Sequence, residues 1–335
     1  MKVRLVSVAF LAWLLAACAA GPGAGGSGGS AGGGSGTPGG TVPGAGAIQH
    51  PAGPSDLVLR VSTDGGLVAP GVILTHIPEF SLYGDGRVIT VGPQIAIYPG
   101  PALPNLLLQR VSQAGVQRIL EAARTAGLLG ADRQIDFPGI MDAPTTTLTV
   151  VAGGSTHVTR VYALGIDGGT AAPGGAGGSS VGRSGAGGPG AADAAARRAI
   201  SGFRARLDDL GAWLGRGVVE PEQAYAFDAI RLFIDRADLQ SGGPTSQPGE
   251  VRPSFVTWPG IQPLGSLGTP VAGLPDTRCA VLQGPELARV LPALRGSNTL
   301  TRWLSGGTFQ PLAWALRLRP LLPEESGCAG SSSPG

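Results

Sequence analysis

Histidine is the scarcest proton-moving side chain here: the 335-residue sequence has three, His50, His76 and His157. Asp142, Ser155 and His157 supply a carboxylate, a hydroxyl and an imidazole within one short stretch. Brought together, such a set activates serine for acyl transfer, with the imidazole taking the hydroxyl proton and the carboxylate orienting the ring. Ser155 and His157 follow a Gly153-Gly154 turn, however, where adjacent hairpin positions seldom converge, and Ser155 is explained as a turn residue. His76, Glu79 and Asp85 are a second group of metal-capable donors, but no His-x-x-x-His spacing or carboxylate cluster accompanies them. No metal site and no cofactor is expected. Six aromatic residues, Tyr83, Tyr98, Tyr162, Trp258, Trp303 and Trp314, are spread through the chain, several beside turns or prolines. An exposed shelf of these, with Tyr83, Tyr98, Trp258 and Trp303 as its ligand-binding members, would hold a glycan or a peptide. The competing and favoured reading is that they fill the core of a fold rich in small residues.

The chemistry of the three cysteines depends on where the chain resides. Lys2 and Arg4 precede an apolar run over residues 5–14, and Leu15-Ala16-Ala17-Cys18 follows it. The run is shorter than the roughly 20 apolar residues that a membrane span needs. A charged start, an apolar centre and small residues before a cleavage point form the layout of a secretory signal. Its last four residues resemble the lipobox of bacterial lipoproteins. That resemblance implies cleavage before Cys18, a diacylglyceryl group on its sulfur, and anchoring at the outer face of the cytoplasmic membrane. Two acyl chains hold a protein stably on a membrane where one does not. An ordinary cleaved secretory signal is the alternative. With Cys18 given to lipid, Cys279 and Cys328 are left as an even pair, and export to an oxidising compartment predicts a disulfide between them; two buried free thiols are the alternative.

The formal charge of +2 is nearly balanced, which argues against a nucleic-acid partner, since phosphate binding requires a clustered basic face. Residues 18–54, after the signal at 1–17, are mostly Gly, Ser, Ala and Pro, and are expected to form a flexible tether behind the lipidated cysteine. Residues 168–190 form a second glycine-rich tract, and 329–335 a frayed tail. Gly25-Gly26-Ser27-Gly28-Gly29 matches the G-x-S-x-G nucleophile pattern, and Gly21, Gly23 and Gly26 match G-x-G-x-x-G. Both patterns require a strand before and a helix after, which a glycine tract does not supply.

Between these tracts the patterning alternates strand and helix. Strands are predicted over residues 57–61 and 95–98, with a hairpin of 80–83 and 87–90 around Gly84-Asp85-Gly86. Ser112 caps a helix whose apolar face is Val116, Ile119, Leu120 and Ala123, and Gly127 stops it. Residues 145–151 and 156–164 read as paired strands. After the second tract Asp193 is expected to cap a helix striped by Ile200, Phe203, Leu207, Leu210 and Leu214. Strands follow over 229–234 and 279–282, then a helix opened by Gly284-Pro285 and stopped by Gly296, then a hairpin of 301–304 with 308–319.

The expected class is therefore α+β, antiparallel hairpins with amphipathic helices packed on one side. The predicted divisions are residues 55–167 and 191–328. Each contains a helix, a glycine stop and a Gly-Gly hairpin, an echo that points to two similar lobes. Three segments, Leu82-Tyr83-Gly84-Asp85-Gly86-Arg87-Val88-Ile89, Asp142-Ala143-Pro144-Thr145-Thr146-Thr147 and Leu300-Thr301-Arg302-Trp303-Leu304-Ser305-Gly306-Gly307-Thr308, together with residues 316–323, resemble a group of uncharacterised lipoproteins from bacteria with GC-rich genomes. The resemblance implies a shared fold and a lipid anchor, and carries over no activity. The expected function is a non-catalytic binding or structural module of the cell envelope, in contact with the membrane through Cys18 and with cell-wall or other envelope components. An envelope hydrolase acting near His157 is one alternative. A solute-binding lipoprotein is another, though the alternating βαβ pattern of that class is missing.

Overall fold

The computed structural model describes residues 46–68, 70–166, 190–237, 251–306 and 312–328. The signal, Cys18, tether residues 18–45, most of the second glycine-rich tract and the tail lie outside the described residues. Two sheets organise the rest, in the expected α+β class. The first holds β1 (Leu57–Gly65), β2 (Phe80–Tyr83), β3 (Arg87–Val91), β4 (Leu106–Arg110), β5 (Arg133–Ile135), β6 (Pro144–Ala152), β7 (Ser155–Tyr162) and β8 (Gln223–Ala224). Their order is β5-β7-β6-β1-β2-β3-β4-β8, antiparallel except where β5 meets β7. The second sheet holds β9 (Ala229–Ala237), β10 (Phe255–Thr257), β11 (Thr269–Val271), β12 (Leu274–Gln283), β13 (Arg302–Ser305) and β14 (Leu312–Pro320), in the order β10-β13-β14-β9-β12-β11. Only β10 with β13 is parallel there. The helices are α1 (Pro70–Thr75), α2 (Gln113–Thr125), α3 (Ala191–Leu207), α4 (Leu210–Leu214) and α5 (Gly284–Arg295).

Helix α2 follows its sequence signals closely. The Ser112 hydroxyl accepts the Gly115 N–H, and Val116, Ile119, Leu120 and Ala123 are buried against the first sheet. At its end Gly127 takes φ +76°, its N–H bonding the Arg124 carbonyl while the Leu128 N–H bonds that of Ala123. This paired closure needs a left-handed residue, which glycine supplies without strain.

Five expectations are revised. The helix after the second tract is two helices, because Asp209 turns its carboxylate to the Ala212 N–H and starts α4. Asp193 lies in the first turn of α3, and the cap position is Gly190. The stripe Ile200, Phe203, Leu207, Leu210 and Leu214 packs into the core of the first sheet, and β8 extends that sheet's edge. The first structural group therefore runs to Ala224, and the glycine-rich tract interrupts it rather than dividing two lobes. Residues 95–98 form no strand: Pro93, Pro99 and Pro101 bracket the segment, and prolines cannot donate to a ladder. Nor does the tether reach residue 54. The Ile48 N–H and carbonyl are both held by the Gln117 side chain, each at 2.9 Å, and the Gln49 carbonyl accepts the Gly153 N–H. Ile48, in a stretch with almost no large apolar residue before it, packs against the first core.

Helix followed by hairpin recurs in both sheets, with a different pairing. In the first, β6, the leading strand of the hairpin, lies against β1. In the second, β14, the trailing strand, lies against β9.

Candidate functional site

The residues predicted for nucleophilic chemistry sit at opposite ends of one hairpin. In the β6–β7 register Val150 faces His157 and Thr145 faces Tyr162. At about 3.3 Å per residue, roughly 17 Å of strand separates His157 from the Asp142 end. The His157 ring instead has its Nδ1 2.8 Å from the Gly130 carbonyl, and Ser155 is exposed at the turn. No triad is assembled. Strand β2 likewise lies between Glu79 and Asp85; Asp85 is paired with Arg87 at 2.8 Å, and His76 Nε2 lies 3.4 Å from Asp64. The aromatic shelf is also overturned. Tyr83 and Trp303 are fully buried, Trp258 and Trp314 nearly so, and only Tyr98 of the four ligand candidates is exposed, at 72%. Trp258 and Trp303 meet edge to face at 5.7 Å, and the Trp258 N–H is satisfied by the Gln262 carbonyl at 3.0 Å. Buried indoles with a bonded N–H are core elements.

The densest buried electrostatics lie where the two sheets meet. A bulge after Leu57 breaks the alternation of β1. Val58, Leu59 and Val61 then face the helices, while Leu57 packs with Tyr83, Ile89 and Leu322 on the other face. On that other face, residues 321–328 cross from one sheet to the other. Glu324 reaches the first sheet: it pairs with Arg60 of β1 and accepts the Tyr83 hydroxyl at 2.6 Å. Its neighbour Glu325 reaches the second: Arg319 of β14 donates to it at 2.7 Å, with both side chains under 5% exposed. Arg319 also donates to the His76 carbonyl at 2.8 Å, and the Leu322 N–H donates to Glu325 at 3.0 Å. Arg231 of β9 donates to the Gly327 carbonyl at 3.0 Å. Cys328 ends the segment at disulfide distance from Cys279 of β12, with Cα atoms 5.9 Å apart, so the expected pair is present.

These surroundings shift several of the groups. Burial, and then the Glu324 charge, push the Tyr83 hydroxyl far above its ordinary range, so it stays a donor. Burial alone would raise the Glu325 carboxyl, but the bonds and charge of Arg319 outweigh it and hold the carboxyl below its usual value. Burial also opposes the Arg60 cation, and Glu324 more than restores it. Burial and the like charge of Arg319 lower Arg231. With Tyr83 held as a donor and the Glu325 carboxyl held below its usual value, the groups are engaged with one another across the two sheets, and the arrangement is a clasp. Sequence reasoning missed it. Leu322-Pro323-Glu324-Glu325 is a visible acidic pair, yet nothing local selects Arg60 and Arg319 from a chain whose basic residues other than Lys2 are all arginine.

Comparison with known protein families, curated proteins and solved structures returns no match.

Proposed function

We propose that this chain is a lipid-anchored extracytoplasmic lipoprotein whose folded part is a non-catalytic binding or structural module of the cell envelope. The observation that carries the anchor is Leu15-Ala16-Ala17-Cys18 placed directly behind a short apolar run with a basic start. The Cys279–Cys328 pair supports an oxidising compartment. No helix among the described residues is long and apolar enough to cross a membrane, so in this reading attachment rests on the acyl chains of Cys18. The separation of Asp142 from His157 supports the binding role over the hydrolase.

The test is Cys18→Ala with fractionation and metabolic labelling by a fatty-acid analogue. Wild type should carry label and sediment with membranes, and the variant should be unlabelled and unprocessed or soluble. Label on the variant, or wild type found wholly in the medium, ends this reading.

A further inference from the structure

Strand directions assign every connection of the first sheet to one of two ends, and the two ends differ. One end receives the links from β1 to β2, β3 to β4 and β5 to β6, and the chain leaving β7 and, at the sheet edge, β8. The first four of these present large apolar side chains to solvent. Leu67 is 92% exposed and Ile73 follows it in the first link. Ile95, Ile97 and Tyr98 project from the second, Met141 (85% exposed) from the third and Ile166 from the last. A side chain added at Gly66 would meet the Asp142 carbonyl and Pro144, so the first and third links run close together. At the opposite end, the entry to β1, the Gly84–Gly86 and Gly153–Gly154 turns and the approach to β8 show none among the described residues.

The charges divide the same way. Residues 66–79, 92–105, 136–143 and 163–166 contain no arginine or lysine, in a chain that has 24, and they do contain Glu79, Asp136 and Asp142. Arg317, which reaches Gly71 from the second sheet, is already paired with Asp235 at 2.9 Å. Arg319 and Arg197, which bond the His76 and Ala163 carbonyls, are buried. Exposed apolar tips on loops whose own charged residues are acidic are poorly matched to an anionic leaflet, which attracts Lys and Arg and repels carboxylates. The tether also joins the fold at the far end, where Ile48 and Gln49 bond Gln117 and Gly153. From β7 to β4 the tips span five strand spacings, roughly 24 Å, close to the breadth of one side of a standard protein interface.

We infer that this crown of loops is the docking surface of the binding module, and that its occupant is an envelope protein presenting an apolar patch rimmed by Arg or Lys. The inference rests on the proposed binding role. Apolar tips supply the buried centre of such a contact, and Glu79, Asp136 and Asp142 supply the complement to a basic rim.

The test places the photo-crosslinker p-benzoylphenylalanine at Ile97, at Met141 and, as control, at Gly153 of the full chain in living cells. One protein should be captured from the first two positions and not from the third. Once identified and purified, it should bind the wild-type chain, bind more weakly as salt rises, and lose at least tenfold in affinity to Ile97→Asp, whose melting temperature should be unchanged because the position is exposed. Capture of lipid or of a second copy of this chain, absence of any adduct, or affinity untouched by Ile97→Asp overturns the inference. So does sedimentation with phosphatidylglycerol vesicles that Ile97→Asp abolishes. Crosslinking in the Cys18→Ala background separates the two claims. An adduct kept without fatty-acid label leaves the crown standing and removes the anchor; label without adduct does the reverse.

Discussion

The two sheets reach a closed core with different materials. The first is roofed by α2, α3 and α4, and its core is aliphatic apart from Phe80 and Phe203. Among the described residues the second core has α5 as its helix, and Trp258, Trp303 and Trp314 pack into the same core. A buried indole removes enough area from water to contribute about 5 kcal/mol. Where helices are few, three large rings with irregular chain around them close the same gap. Aromatic residues near turns are thus roof supports here, and the exception, Tyr98, belongs to the exposed crown.

The largest expected effect breaks the second core. Trp303→Ala should cost about 5 kcal/mol by urea denaturation, against roughly 3 for Leu120→Ala in the first. Equal losses would mean that the tryptophans carry no special share. Next is the staple: replacing Cys279 and Cys328 together by Ala opens a loop of 49 residues and should cost about 4 kcal/mol. Alkylation of denatured, non-reduced protein checks its premise, since two modified thiols per chain would exclude the bond. Third is the clasp. Glu325→Gln strands the buried Arg319 charge and should cost roughly 3 kcal/mol. Calorimetry should then resolve two transitions where the wild type has one, because the joint between sheets is weakened. The pH sign follows from the lowered Glu325 carboxyl. Its contribution is complete above the ordinary glutamate range and is lost as pH falls through its folded value, so the variant's acid limb should be flatter. Smallest is Ser112→Ala, which removes one cap from the first sheet and should cost about 1 kcal/mol. A tilt of the second sheet's transition in that variant would show the sheets coupled more tightly than one clasp accounts for.

Legibility in the sequence tracks the range of the interaction. Ser112, Gly127, the Gly84-Asp85-Gly86 turn and the β6–β7 hairpin were readable because their partners lie within a few residues. The apolar stripe of α3 and α4 was readable as a stripe, but not its destination: it belongs to the sheet built before the glycine-rich tract, and no local signal names a distant face. Cys279 and Cys328 were paired by parity and compartment. The candidate chemistry at Asp142, Ser155 and His157 failed because nearness along a hairpin is distance along a strand. Residues 95–98 form an apolar run such as a strand carries, but Pro93, Pro99 and Pro101 bracket it, and without a pairing neighbour its side chains stay exposed.

The clasp also has a place in time. Residues 321–328 are made after all fourteen strands, and they alone carry the pair Glu324 and Glu325 that reaches Arg60 on one side and Arg319 on the other. A chain ending at Pro320 would own both sheets and the contacts of His76 and residues 100–103 with the second sheet and its flanking chain, but not the carboxylates of the clasp. During synthesis the first sheet can close once Ala224 has emerged, then wait with Arg60 and Tyr83 unanswered through the making of a further hundred or so residues. Completion is therefore registered by the molecule itself: Arg60, Tyr83 and Arg319 meet their carboxylates only when nearly the last described residue arrives.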